Sequence, residues 1–364
     1  MGIQDIGANV RRHMKIRGLT IPQLSAMMEM GTAALSNLIN GKAEPKSSTL
    51  IKLAKALDVP FDELLADAPK LQSLRFRTAK TLSGREKAER DQLRHDTAIW
   101  LADYVFLEEA LKDKLASKLK SVHEKKPDAA ARSVREKLEL DSNQPIHDIS
   151  ELMEKAGIKL RMRPFGFQKT FGLSVGEQDG GPAIVVNSDS RIPVERQIFT
   201  IAHELGHLVL HRGSYDASQE IEDPIEEQEA NSFAGIFLVP EEGLLKEWDE
   251  SKGLHWVGRV LRVKKIFMVS YKTILIRLKQ IRPELKDRVL EREFAIDFKA
   301  LYGHDLKDHY EPEAIGTNVL IEDRFARLVR EAYDKELISI GRAGEMLNRS
   351  LEEMRELVRA WQAL

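Results

Sequence analysis

The chain has 364 residues, a formal net charge of −2 and no cysteine, and it is 42% hydrophobic and 31% charged. This length and composition predict several folded, helix-rich domains, and the small net charge excludes a basic field over the whole chain, so any DNA contact must come from a local patch. The lack of cysteine excludes disulfides and thiolate ligands, and without an apolar signal core or a transmembrane run we expect a cytoplasmic chain with no membrane partner.

Residues 1–68 are predicted to form a first domain of short amphipathic helices joined by tight turns. Thr20 is expected to cap a helix with Pro22 in its first turn, and Gly41 suits a left-handed helix end. Over residues 1–57, eight Lys or Arg side chains stand against three Asp or Glu. This local excess favours DNA binding over the alternative, a small helical bundle used for protein contact.

The first 65 residues or so resemble the lambda-repressor-like (Xre/Cro) helix-turn-helix family, through LTIPQLSAMMEMGTAALSNLINGKAEPKSSTLIKLAKALDVPFDELL. The resemblance implies that the third helix enters the major groove of double-stranded DNA. The expected DNA-binding residues are Gln23, Thr32, Ala33, Ser36, Asn37, Asn40, Lys42 and Lys46. Because the outward face of that helix lacks Arg and Gln, specificity is expected to be modest or to depend on dimer spacing and DNA shape.

Residues 69–127 are predicted to connect this domain to the next one. We expect a long helix from Ser83 to about Leu115, followed by a charged, solvated hinge around Pro127. The long helix is interpreted as a packing strut, and the alternative is that it carries the interface of a homodimer.

Residues 128–284 are predicted to form a second domain, in which a β-hairpin over 171–187 precedes a helix over IFTIAHELGHLVLHR, residues 198–212. That helix carries titratable groups that are costly to bury, so either hydrogen bonds pair them or they hold a metal. His203 and His207 are four residues apart on one face and can converge on a cation, and Glu204 is then placed as the general base. A metal-free helix with surface histidines is the alternative.

A third metal ligand is expected on the next predicted helix, IEEQEANSFAGIFLVP, residues 225–240. Glu229 lies where this helix changes from acidic to apolar, one turn before Phe233, and so can point into the same pocket. His211 is the other candidate, but two helical turns place it roughly 12 Å along the axis from His203. His211 therefore suits a role behind the metal ligands, at an oxyanion, or in a hydrogen bond of the core.

The sequence HELGHLVLH followed by EANSFAGIFLVP resembles the ImmA/IrrE family of zinc metallopeptidases, over about Val134 to Gln280. The resemblance implies a zincin-like α+β domain that holds one Zn²⁺ per chain. Members of this family cleave Xre-type repressor proteins and so switch on silenced genes. The order of the two domains and the tetrapeptide LRFR, residues 74–77, resemble single-chain fused regulators of the same family.

The same resemblance assigns a role to each residue of the motif. His203 and His207 become metal ligands, and Glu204 becomes the catalytic acid/base. The third ligand is the acidic residue before the dipeptide AN, which is Glu229 here, with Glu226 as the fallback.

Residues 285–364 are predicted to form a C-terminal helical domain. A short helix over Ile338 to Leu347 is entered through Ser339, and Ser350 caps another. This region is interpreted as a second helix-turn-helix-like bundle or as a helical lid or oligomerisation element.

The chain as a whole is expected to be multi-domain and mainly α, with a small α+β peptidase domain. The expected function is a DNA-binding regulator whose zinc endopeptidase cleaves a repressor-type protein to derepress stress or prophage genes. The alternatives are a transcription factor whose peptidase fold only senses a ligand, and a toxin–antitoxin or phage-defence regulator.

Overall fold

A computed structural model describes residues 3–65, 70–76, 84–165, 170–219, 221–306, 311–316 and 319–362. The chain is mainly helical with a small sheet, as predicted, and its contacts divide it into two compact units. The first consists of Met1–Leu71, Ser83–Lys114 and Asp323–Leu364, and the second of Gln72–Leu82 and Leu115–Glu322. Within the described ranges, every helix is too short or too polar to cross a membrane.

Five short helices open the first unit: α1 (Ile3–Ile16), α2 (Ile21–Met27), α3 (Thr32–Ile39), α4 (Ser47–Leu57) and α5 (Phe61–Leu65). Their core contains the fully buried Leu24, Leu35 and Leu53. Thr20 caps α2 as predicted, since its hydroxyl accepts from the Gln23 backbone N–H while the Gln23 side chain accepts from the Thr20 N–H. The helices therefore follow the order that the sequence indicated.

The described part of the first unit contains four further helices: α6 (Gly84–Leu111), α15 (Arg324–Asp334), α16 (Ile340–Leu347) and α17 (Leu351–Gln362). The Arg324 guanidinium donates to the Tyr104 hydroxyl at 3.0 Å and to the Glu108 carboxylate at 2.8 Å, and so joins α15 to α6. The Ser339 hydroxyl caps α16, as predicted. The predicted cap of α6, Ser83, lies outside the described residues.

The second unit contains a four-stranded sheet of β1 (Leu74–Arg75), β2 (Lys159–Arg163), β3 (Gly172–Val175) and β4 (Ala183–Asn187). The strand order is β1-β3-β4-β2, with β2 parallel to β4 and the other two pairs antiparallel. The β3–β4 pair is the predicted hairpin. Its register places Ser174 opposite Ile184 and Val175 opposite Ala183.

The described residues of the second unit also form eight helices: α7 (Pro127–Lys137), α8 (Ile149–Lys155), α9 (Val194–Leu210), α10 (Pro224–Leu238), α11 (Glu241–Glu250), α12 (Trp256–Phe267), α13 (Tyr271–Ile281) and α14 (Leu290–Tyr302). Short 3-10 turns lie at Lys118–Ser121, Glu177–Asp179, Arg212–Ser214 and Pro283–Leu285. The core is apolar and includes the fully buried Phe233, Phe237 and Phe267.

The structure corrects the predicted boundaries at two places. Pro127 begins α7, where its fixed φ suits the first helical turn, so the exposed non-helical part of the predicted hinge is limited to residues 123–126. Residues 285–364 are not one domain, because Phe294 of α14 is fully buried in the second unit whereas α15 to α17 belong to the first.

Candidate metal centre

The polar part of α9 lies between α10 and β3, and two glycines allow this close packing. A Cβ on Gly206 would lie 3.0 Å from Cδ1 of Phe233 in α10. A Cβ on Gly172 in β3 would lie 2.6 Å from Cγ2 of Thr200 and 3.2 Å from Oε1 of Glu204. Side chains of both α10 and β3 can therefore reach the HELGH segment of α9.

Two imidazoles and one carboxylate converge at this point. Nε2 of His203 lies 3.0 Å from Nε2 of His207, and the two carboxylate oxygens of Glu227 lie 3.2 Å from these nitrogens, one from each. Donor atoms of a tetrahedral zinc site with bonds of 2.0–2.1 Å are about 3.3 Å apart. These three residues form the one cluster among the described residues whose ligand atoms are close enough to share a metal ion.

The third member of this cluster, its acidic residue, differs from the one that the sequence indicated. Glu229 is turned away and lies with its Oε2 2.9 Å from Nε2 of His211, while the fallback, Glu226, bonds to Arg75 and Ser214. The reason is helical geometry, because two residues along α10 rotate the side chain by about 200°. Glu227 takes the place expected for Glu229.

The outer ring nitrogens of the two histidines have partners of their own. Nδ1 of His203 lies 3.1 Å from the amide oxygen of Asn231. Nδ1 of His207 lies 2.8 Å from Nδ1 of His211, which contacts Glu229 through its other nitrogen. An amide oxygen or a carboxylate can only accept a hydrogen bond. His203 therefore carries its proton on Nδ1, towards Asn231. His211 carries its proton on Nε2, towards Glu229, and so accepts from the Nδ1–H of His207.

This proton arrangement leaves lone pairs inside the cluster. Nε2 of His203, Nε2 of His207 and the Glu227 carboxylate then meet as three acceptors, an arrangement that a cation stabilises. Burial lowers the pKa of His207 to about 3, which keeps that imidazole neutral, as a metal ligand must be. The residues present thus fit a zinc ion.

Glu204 lies beside the cluster and is buried. Its Oε2 accepts a hydrogen bond from the Ser174 hydroxyl at 2.6 Å, and Ser174 accepts from the Tyr215 hydroxyl at 2.9 Å. Burial raises the pKa of Glu204, although His203 and the Ser174 hydrogen bond oppose this shift. A carboxylate with a raised pKa takes up a proton more readily near neutral pH.

Four residues of the site were not identified from the sequence: Ser174, Glu227, Asn231 and Arg75. Glu227 and Asn231 are four residues apart on α10, a spacing that places both on the face towards α9. Ser174 lies between the apolar Leu173 and Val175, so strand alternation gave a signal for it. Arg75 lies in the tetrapeptide LRFR noted in the sequence, but nothing in that motif indicated that its side chain reaches this site from far away in the chain.

The first unit presents the predicted DNA-contacting residues at its surface with one exception. The exposed residues are Gln23, Thr32, Ala33, Asn37, Asn40, Lys42 and Lys46. Ser36 is half-buried, and its hydroxyl accepts from the Asn40 amide at 3.3 Å.

Models of known protein families match a segment of each unit. A model of the Peptidase M78 family, described as the IrrE N-terminal-like domain, matches residues 153–279, and a helix-turn-helix model matches residues 10–64. The second unit thus has a metallopeptidase-type fold. The chain joins a helix-turn-helix domain and an IrrE N-terminal-like domain in one polypeptide, which confirms the resemblance that the sequence suggested.

Two curated relatives come from Bacillus subtilis (strain 168). The uncharacterized HTH-type transcriptional regulator RghRB is 37% identical over 72 residues, which is 20% of this chain and 52% of the relative. The HTH-type transcriptional repressor RghR is 34% identical over 67 residues, or 18% of this chain and 50% of the relative. The chain therefore spans about half the length of the curated relatives it matches.

Proposed function

We propose that this chain is a DNA-binding transcriptional regulator with a zinc-dependent endopeptidase that cleaves a repressor-type protein. The observation that carries the proposal is the convergence of His203, His207 and Glu227 beside the buried carboxylate of Glu204. Two imidazoles and one carboxylate, with a fourth position left for water, are a donor set of catalytic zinc sites.

His203 and His207 would hold the ion through Nε2 and Glu227 through its carboxylate. When bound, zinc supplies a Lewis acid that activates water and polarises the scissile carbonyl. Glu204 accepts the proton that the attacking water releases. The same carboxylate, whose Oε2 is held by the Ser174 hydroxyl, then delivers the proton to the leaving amine.

The outer partners of the histidines have an orienting role in this proposal. Asn231 fixes the ring of His203, and the His211–Glu229 pair fixes the ring of His207. Such partners fix the tautomer of a ligating histidine and make it a stronger donor to the metal. Orienting a metal ligand is one of the three roles that the sequence left open for His211.

Cleavage is tested with the zinc-loaded full-length protein and the helix-turn-helix repressor encoded beside its gene. We expect the wild type to cleave the repressor. Glu204→Gln should retain zinc and lose cleavage by about 10²- to 10⁴-fold, because it removes the base but no ligand. Glu151→Gln, which changes an exposed carboxylate on α8 paired with Lys155, is the matched control and should retain both properties.

The outcomes separate the candidate functions. Equal cleavage by wild type and Glu204→Gln would reject Glu204 as the base. Zinc binding without cleavage by the wild type would favour the alternative in which the peptidase fold senses a ligand.

DNA binding is assigned to the first unit, with α3 in the major groove. Asn37 is exposed on α3 and Lys46 is exposed just before α4. Asn37→Ala should reduce discrimination between promoter and random DNA, whereas Lys46→Ala should weaken binding to both, which gel retardation measures. Equal losses on both DNAs for Asn37→Ala would place that residue away from the base edges. The stoichiometry on DNA also tests the predicted homodimer.

A further inference from the structure

The segment that follows the helix-turn-helix domain adds an edge strand next to the metal cluster. β1 pairs with β3 so that Leu74 lies opposite Val175 and Arg75 opposite Ser174. The Ser73 carbonyl accepts from the Gly176 N–H at 2.7 Å, which extends the pairing. Arg75 is thereby placed across from the residue that hydrogen-bonds Glu204.

A carboxylate fixes the start of this strand. Oδ2 of Asp179 accepts from the backbone N–H of Gln72 at 2.7 Å, from the backbone N–H of Ser73 at 2.6 Å and from the Ser73 hydroxyl at 2.9 Å. On the other side, the Gln72 carbonyl accepts from the Ala217 N–H at 3.0 Å. The strand is therefore held from both sides, which limits the positions that its side chains can take.

The guanidinium of Arg75 reaches the candidate third ligand. Arg75 is 3% exposed, and its Nη2 donates to Oε1 of Glu227 at 2.8 Å while Nη1 donates to Glu226. An arginine stays charged in proteins, and here the charge of Arg75 is paired with the carboxylates of Glu227 and Glu226. A planar guanidinium with two fixed partners restricts where each carboxylate can turn.

The positive charge of Arg75 also offsets the negative charges of the carboxylates around it. Glu204, Glu226 and Glu227 place three carboxylates around Arg75, and without that cation their mutual repulsion would favour turning the partly exposed Glu227 side chain towards solvent. A buried cation that bonds two of them opposes this movement. It also leaves the Glu227 oxygens beside the histidine nitrogens, as the distances of 3.2 Å record.

We propose that Arg75 is a positioning residue that holds Glu227 in the orientation needed to bind the metal. This inference rests on the proposed function, because it concerns the same metal site. It means that the site is not complete within residues 153–279, the range of the matching family domain. The chain supplies the missing contact from β1, which follows the helix-turn-helix domain in the sequence and belongs to the second unit.

The test measures zinc dissociation constants of the full-length protein by competition with a chelator of known affinity. Arg75→Met keeps most of the apolar stem and should weaken zinc binding about 10- to 100-fold, the usual cost of losing a contact behind a metal ligand. Arg75→Lys keeps the charge but lacks the planar guanidinium that bonds two carboxylates at once, so it should lose less zinc affinity than Arg75→Met. Arg191→Met removes an exposed arginine paired with Asp189 and should leave zinc affinity unchanged.

A double variant distinguishes positioning from a general loss of structure. If Arg75 acts through Glu227, then Arg75→Met should cost little further zinc affinity in a Glu227→Gln background. Additive losses would assign the effect to folding and overturn the proposal. Should Arg75→Met fail to fold, Arg75→Lys is measured alone and in the Glu227→Gln background, and that cycle decides in the same way.

Two other results would overturn the inference, and they are distinguishable from a failure of the proposed function. Zinc affinity of Arg75→Met within about threefold of wild type would remove the positioning role while leaving the metal site intact. Faster repressor cleavage by Arg75→Met would identify β1 as a segment that blocks the site. A wild-type protein that binds no zinc would instead reject the proposed function, and this inference with it.

Discussion

At the scale of single residues, the chemistry depends on how one carboxylate shares its hydrogen bonds. The Ser174 hydroxyl donates to Oε2 of Glu204 and so favours the charged form of a group whose pKa burial has raised. A general base works only when it is deprotonated, so activity should be lost as the pH falls through the pKa of Glu204.

Ser174→Ala should move the acidic limb of the kcat/KM pH profile upwards by about one pH unit. Removing a donor to the carboxylate favours its neutral form, and one pH unit corresponds to about 1.4 kcal/mol. Ser251→Ala removes another buried hydroxyl, which donates to the Trp248 carbonyl, and should leave the profile in place. A shift to lower pH in Ser174→Ala would contradict the assignment of Glu204 as the base.

Whether a residue of the site could be predicted from the sequence depends on where its partners lie in the chain. His203, Glu204 and His207 lie on one helix, so their spacing alone placed them together. Glu227 required knowing which face of α10 meets α9, and that depends on tertiary packing. Arg75 depends on a strand that joins the sheet from a distant part of the chain, which local periodicity does not reveal.

At the scale of elements, the distance between α9 and α10 sets the geometry of the site. Gly206→Ala should destabilise the second unit by about 1–3 kcal/mol, because its Cβ would press on Phe233. Gly258→Ala in α12 is the matched control, since its Cβ would have Leu254 Cβ as the nearest atom at 3.8 Å. It should stabilise the helix by about 0.5–1 kcal/mol, so chemical denaturation that ranks the two variants equally would contradict this account.

The elements themselves were largely predictable. Helical periodicity and caps gave α1 to α5, α9, α10 and α16, and strand alternation gave the β3–β4 hairpin. The start of α7 was misplaced because proline favours both a turn and the first position of a helix, and local sequence does not distinguish the two.

At the scale of the whole molecule, the last helices return to the unit that contains the first ones. The ion pair of Arg324 with Glu108 is almost fully buried, with side chains 5% and 2% exposed. Arg324→Ala should destabilise the first unit by about 3–5 kcal/mol, because the buried Glu108 carboxylate would lose its ion pair with Arg324. No pattern in the sequence reveals this long-range pairing, which is why residues 285–364 were expected to form one domain.

Hydrogen exchange measured by mass spectrometry checks this prediction within each unit. Protection should fall in α6 and α15 and stay unchanged in α9 and α10. Lys335→Ala, which breaks an exposed pair with Glu331, is the control and should change stability by less than about 1 kcal/mol. An equal loss of protection in α9 would show that the two units do not unfold separately.

The central claim is that His203, His207 and Glu227 form a zinc site, and anomalous diffraction at the zinc absorption edge tests it most directly. Crystals of the zinc-loaded protein should give one strong peak per chain, bonded by Nε2 of both histidines and by the Glu227 carboxylate at about 2.0–2.2 Å. No peak at this position, or a peak bonded by Glu229 in place of Glu227, would contradict the account.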